Sequence, residues 1–423
     1  MSIEICNIFD KIGLAFDSEI GIHVHKKMKI PITVWYDDDA EELVLLDQTK
    51  LPYEVTVWRT KDWKKAGELG IKGMIVRGSQ AIGCAAGYAL LLAANSFRHT
   101  GKDFMKNLNE AAAFLKNTRP TAYPLMWAID LAMKAAQRTV KEDGKIDMVI
   151  EAVREVADYV LASDLILNWF LRQEGMKHLE DGDVIMTHCN GGSLSSSLGG
   201  HALGMIEEAY VEGMDLKVVS KETRPRCQGY KLTVWELNRA GVPVIIVTDN
   251  MISAAFKRFQ VSKIMLGVDR VARDGSVANK IGSADIAYVA HAHDIPFYYA
   301  TSYSTIDLET IKGESIPIEE RKTEEITYFY RLEAADLRKR RIISEESLTA
   351  WPPIGIISSE EKLSKGRVAL YNPAFDITPP KLIKLIITDI GAFAPSQIKT
   401  LTNELITAKV RERLSRWRVT SPQ

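Results

Sequence analysis

THCNGGSLSSSLGGHALG at residues 187–204, KETRPRCQGYKLTVWEL at 221–237, VPVIIVTDN at 242–250, KIMLGVDRVARDG at 263–275 and VANKIG at 277–282 decide the fold. Three apolar runs, Val184–Met186, Val244–Val247 and Ile264–Val268, break off into Thr187-His188-Cys189-Asn190, Thr248-Asp249-Asn250 and Asp269-Arg270. Apolar runs of this length between helical patterns read as buried parallel strands. An open parallel sheet binds its ligands just beyond the carboxyl ends of its strands. Cys189, Asp249 and Asp269 are therefore expected to converge on one crevice.

Working outward, strands are expected at Val184–His188, Lys217–Ser220, Val244–Val247, Ile264–Val268 and Pro296–Ala300. Helices are expected from about Leu194 to Ala209, Tyr230 to Arg239, near Ile252, and Ser283 to Ala292. Repeated βα units imply an α/β fold with a doubly wound parallel sheet. The first third reads as mostly helical, at 103–117, 124–140 and 146–172, after a few short strands such as ITVWY and ELVLL. The expected domains are residues 1–150, mostly helical, and 151–423, the sheet domain. Residues 322–370 read as a charged insertion with a basic run at Arg338–Arg341 and a break at Trp351-Pro352-Pro353. The tail, LTNELITAKVRERLSRW, reads as an amphipathic helix packing on the domain or on a second subunit.

A chain of 423 residues predicts two domains, and a net charge of −1 gives no reason to expect nucleic acid or an anionic membrane as partner. Four scattered cysteines without a CxxC pair point to a reducing compartment. No apolar run reaches the roughly 20 residues that span a bilayer. The start, MSIEICNIFDKIG, lacks a basic then apolar leader, so the cytoplasm is expected. His188 and His201 lack carboxylates or thiolates at ligand spacing, so no metal is expected.

Cys189 is expected at a strand end, before a glycine-rich turn opening a helix. Free amides there favour anions and a thiolate; a buried structural cysteine is the plain alternative, and Cys84 and Cys227 stay with it. Asp269, at the rim of an apolar crevice, has its pKa raised by desolvation and suits a general acid, or else caps a helix. Asp249, with Asn250, is read as supporting the site from behind. Arg77-Gly78-Ser79 and Arg119 each precede a helix, an arrangement that a phosphate monoester needs, although such arginines are commonly surface ion-pair residues. Asn279-Lys280 offers an amide and a cation at another strand end.

Taken together, RGSQAIG, TRPTAY, THCNGGSL, ETRPRCQG, TDNM, GVDRVARDG, VANKIG, IPIEER and YNPAFDITP resemble the methylthioribose-1-phosphate isomerase family, over about residues 32–392. That family is related to the regulatory subunits of translation initiation factor 2B and to ribose-1,5-bisphosphate isomerase. The resemblance implies a small helical N-terminal domain, a Rossmann-like C-terminal domain, a homodimer, and a metal-free, cofactor-free aldose–ketose isomerisation in methionine salvage. It implies Cys189 and Asp269 as the catalytic pair. Arg77, Gly78, Ser79, Arg119, Gln228, Asn279 and Lys280 would be the substrate-binding residues. Where the family usually has RGAPAIG, this chain has Ser79-Gln80, which bears on the substrate's C5 substituent. The alternatives are a relative acting on 5-deoxyribose 1-phosphate or ribose 1,5-bisphosphate, and a non-catalytic regulatory subunit.

Overall fold

Six short runs rich in Val, Ile and Leu pair in parallel in the computed structural model, in the spatial order Leu385–Thr388, Phe297–Thr301, Lys263–Leu266, Val184–Thr187, Lys217–Lys221, Val244–Val247. Gly391–Phe393 adds an antiparallel strand beside the first of these. Numbered along the chain, the parallel order is 3-2-1-4-5-6 read from Val244–Val247, the Rossmann-like order. Its switch point lies between Val184–Thr187 and Lys263–Leu266, where Ile185 pairs with Lys263 and Met186 with Ile264. The structure describes residues 4–119, 122–142, 144–341 and 370–420. Pro120-Thr121, Trp351-Pro352-Pro353 and the remainder of 342–369 lie outside the described residues.

The helices Ser79–Ser96, Tyr123–Glu142 and Ile146–Met176 pack on one another. The first is buried from Gln80 to Ala94, on every face, which its small residues permit: Gly83 lies against the Pro124 backbone and Gly87 against Ala157. Ile146–Met176 also contacts Leu385–Thr388 and Gly391–Phe393, so one apolar cluster runs through bundle and sheet. The tail forms the helix Asn403–Ser415, which packs on Ile146–Met176; the Arg413 guanidinium lies 4.5 Å from the Phe170 ring centroid and Trp417 5.9 Å from Trp169.

Two elements differ from expectation. The α-helix expected from Leu194 runs instead from Ala202 to Val211, and Ser193–Ser195 is a single 3-10 turn. Gly199 and Gly200 adopt φ +78° and +40°, a conformation that stops a helix, and Gly200 sits directly on the Gly192 backbone. Beyond Lys263–Leu266 the chain forms a hairpin, Arg270–Ala272 with Val277–Lys280, before the expected helix Ser283–Ala292. After the insertion, Phe375–Thr378 pairs with that hairpin and sets Lys280 opposite Phe375 and Asn279 opposite Asp376.

Candidate active site

A cavity of about 570 Å³ opens beyond the strand ends at the switch point. Cys189, Asp269, Arg77, Gly78, Ser79, Arg119, Gln228, Asn279 and Lys280 all line it. Parallel strands deliver Cys189 and Asp269 to the same edge, and the helical segments bearing Arg77–Ser79 and Arg119 pack over that edge, so residues more than 190 positions apart in sequence share one space.

The loop carrying Cys189 is held on several sides. Its φ of +63° is left-handed, an unusual state for a residue with a side chain. The Cys189 N–H donates to Thr223 Oγ1 at 2.8 Å, and its carbonyl accepts from the Thr233 hydroxyl. Gly191 presses against Gly267, so the loops bearing Cys189 and Asp269 touch backbone to backbone. Gly78, at φ +94°, packs equally closely on Ser195, which brings the adjacent Arg77 over the same loop. The Arg77 guanidinium then donates to Asn190 Oδ1 at 2.6 Å and to the Asn190 carbonyl at 3.1 Å.

Asp269 projects into the cavity, closely surrounded by protein yet exposed to the cavity space, and its N–H donates to the Ala278 carbonyl at 3.0 Å. Burial raises its pKa, while Lys280, Arg77, Arg321 and Arg119 pull the other way, and the net shift is upward. The sequence suggests an apolar setting; the structure supplies one closely surrounded by protein, open to the cavity and crowded with cations. Lys280 is buried, donates to the Ala374 carbonyl at 3.0 Å and lies 4.5 Å from the Phe375 ring centroid. Burial, then neighbouring Arg321, lowers its pKa.

Several buried polar atoms of cavity-lining residues have no hydrogen-bond partner: Arg119 Nη1, Arg321 Nε, Gln228 Oε1, Gln80 Nε2 and His201 Nε2. Buried polar groups are almost always satisfied, so this concentration marks a place for a polar ligand. Cations in the lining, Arg77, Arg119, Lys280 and Arg321 among them, outnumber the carboxylates Asp269, Glu324 and Glu325, which makes that ligand an anion.

Asp249 stands behind the cavity. It accepts from the backbone of Thr223 at 3.0 Å and Arg224 at 2.6 Å, holding the turn whose Thr223 hydroxyl receives the Cys189 N–H. Asn250 is exposed and its side chain meets only Thr248, so it takes no part in this support among the described contacts. His188 is neutral: burial pushes it down to about 3, with Nε2 2.8 Å from the Ile281 carbonyl and Nδ1 3.1 Å from Thr223 Oγ1. Among the described residues no group of three or more His, Cys, Asp or Glu is arranged to hold a metal ion.

Arg321, Tyr328 and Phe329 also line the cavity and carry no sequence assignment. Arg321 ends the IPIEER stretch, which offered the only signal. The aromatic pair comes from the helix Glu324–Lys339, the described start of the insertion. That helix is clasped to the loop bearing Gln228. Arg224 donates to the Ile326 carbonyl at 2.7 Å and lies 4.7 Å from the Phe329 centroid, and Arg226 pairs with Glu325 at 3.1 Å.

The sequence pattern of the Initiation factor 2 subunit family matches residues 75–395. Methylthioribose-1-phosphate isomerase from Thermosipho africanus is 36% identical over 370 residues, covering 87% of this chain and 96% of that protein. The Nostoc punctiforme enzyme of the same name is 38% identical over 375 residues, covering 87% and 95%. Among solved structures, 5-methylthioribose 1-phosphate isomerase from Pyrococcus horikoshii superposes with a TM-score of 0.73 at 31% identity, covering 92% of this chain and 98% of that one. Translation initiation factor eIF-2B subunit delta from A. fulgidus superposes with a TM-score of 0.70 at 32% identity, covering 89% and 99%.

Proposed function

The chain belongs to the methylthioribose-1-phosphate isomerases of the initiation factor 2 subunit family, and from that premise we propose that its cavity converts 5-methylthioribose 1-phosphate to 5-methylthioribulose 1-phosphate. The observation that carries this reading is the meeting of a thiol, a carboxyl of raised pKa and a cluster of cations in one cavity.

The phosphate on the anomeric oxygen prevents the spontaneous opening open to a free sugar. Arg77, Arg119, Lys280 and Arg321 grip that phosphate. Asp269 donates a proton to the ring oxygen as the bond from C1 to that oxygen breaks. A hydrogen then leaves C2 and arrives at C1, and the C2 hydroxyl becomes the ketone as its proton passes to the Asp269 carboxylate, which restores the acid. In one route the Cys189 thiolate takes the C2 proton and an enolate forms; in the other the hydrogen moves directly with its electron pair. Enclosure by the Glu324–Lys339 helix limits water around the open-chain intermediate. Leu51, Leu232, Tyr328 and Phe329 supply apolar lining suited to a thioether, including sulfur–aromatic contact. We place the enzyme in the cytoplasm and read it as a homodimer in methionine salvage.

The test is conversion of 5-methylthioribose 1-phosphate by the purified chain, with Cys189→Ser as comparison. Absence of product from the wild type, with intact binding of an initiation factor, favours the regulatory-subunit reading. Deuterium at C2 separates the routes: loss to solvent requires a base, whereas full retention counts against one.

A further inference from the structure

The sequence predicts free amides after Cys189 that would greet a ligand's anion, but an internal anion already occupies them. The Glu236 carboxylate accepts from the Ser193 N–H, from the Leu194 N–H at 3.4 Å and from Asn190 Nδ2 at 3.0 Å. Gly192 has to be glycine for this, since a Cβ there would lie 2.1 Å from Glu236 Oε1. Glu236 is fully buried and carries no sequence assignment. The same Asn190 whose amide group Glu236 holds receives the Arg77 guanidinium on its two oxygens. Burial raises the pKa of Glu207 and, less far, of Glu236. Glu207 is pushed up further by the Glu236 beside it, whereas the Asn190, Ser193 and Leu194 donors pull Glu236 down, so a negative charge on the pair is better held at Glu236.

We propose that Glu236 is a positioning residue for the isomerase: acting through Asn190, it fixes the direction in which Arg77 meets the substrate. Without the Glu236 acceptor the Asn190 amide keeps only the longer 3.3 Å contact to Thr233 Oγ1, and the Oδ1 contact that aims Arg77 is loosened. The proposal rests on the reading of Arg77 as a substrate grip.

A double-mutant cycle tests it, with KM and kcat for 5-methylthioribose 1-phosphate measured on the full chain. Glu236→Gln is expected to raise KM about tenfold with kcat changed much less, the size of a lost charge-assisted hydrogen bond. In an Arg77→Ala background the same substitution should add about twofold or less, because coupled residues fail to add. Multiplying penalties would assign Glu236 a general structural role and overturn the proposal. If Glu236→Gln does not fold, Asn190→Ala enters the same cycle, since it cuts the link while leaving Glu236 on its two backbone amides. Unchanged KM in Glu236→Gln alongside raised KM in Arg77→Ala sinks this inference alone. Unchanged KM in Arg77→Ala sinks the substrate-grip reading as well.

Discussion

Gly191 and Gly267 meet with no side chain between them: a methyl group on Gly191 would lie 2.9 Å from the Cα of Gly267. Each glycine stands two residues from a proposed catalytic group, Cys189 on one loop and Asp269 on the other. The obstacle is backbone on both sides, so Gly191→Ala is expected to push the two loops apart. A shift of about 1 Å in reacting groups costs on the order of 100-fold in turnover. Steady-state assay of a variant that still melts cooperatively checks this; wild-type kcat would mean the loops tolerate separation.

Asp269→Asn should lower kcat by about 10²- to 10⁴-fold, the usual contribution of a positioned acid, with substrate affinity within a few-fold. The acid acts when protonated, and burial raises its pKa. Wild-type kcat should therefore fall as pH rises through that pKa, and the falling limb should vanish in the variant. An unchanged pH profile would remove Asp269 from the role.

Arg321→Ala is expected to raise KM about 10- to 100-fold, the cost of one guanidinium–phosphate contact. Its Nε is buried without a hydrogen-bond partner and makes only a long ion pair, 3.7 Å, to Glu319. Inorganic phosphate should inhibit the wild type competitively and the variant more weakly. Equal inhibition constants would show that Arg321 does not reach the phosphate.

Away from the cavity, burial pushes Asp389 up to about 7 and Asp164 up to about 6. In the unfolded chain both ionise near pH 4, so between about pH 4 and 7 the folded form holds protons that the unfolded form has released. Stability should fall as pH rises across that window and level off above it. Asp389→Asn should flatten part of this slope in thermal melts at pH 5 and pH 8. An undiminished difference would assign the slope to other groups.

The sheet was legible because buried parallel strands leave uninterrupted apolar runs, and the polar residues that end them had to face one edge. The pocket's membership followed from the same geometry for Cys189 and Asp269; Arg77, Arg119, Asn279 and Lys280 were suggested by their place before helices or at a strand end and joined to the site by the resemblance, which alone pointed to Gln228. Glu236 was illegible: in TVWEL it is one acid on a short helix, and only tertiary packing reveals that it faces inward to Ser193 and Asn190. Arg321 hid in a charged run for the same reason. The turn after Cys189 misled because serines and glycines at a strand end resemble a helix start, whereas Gly199-Gly200 delay the helix to Ala202.

Arg77, Arg119, Lys280 and Arg321 are among eight cations that line one cavity with only three carboxylates, Asp269, Glu324 and Glu325. Like charges confined this way repel, and a dianion that settles among them relieves tension in the polypeptide itself. Buffer composition thus becomes a biochemical variable for this protein. Phosphate or sulfate in a storage solution would harden the fold against heat while idling the enzyme, and a preparation judged best by its melting curve would be the one that turns over most slowly.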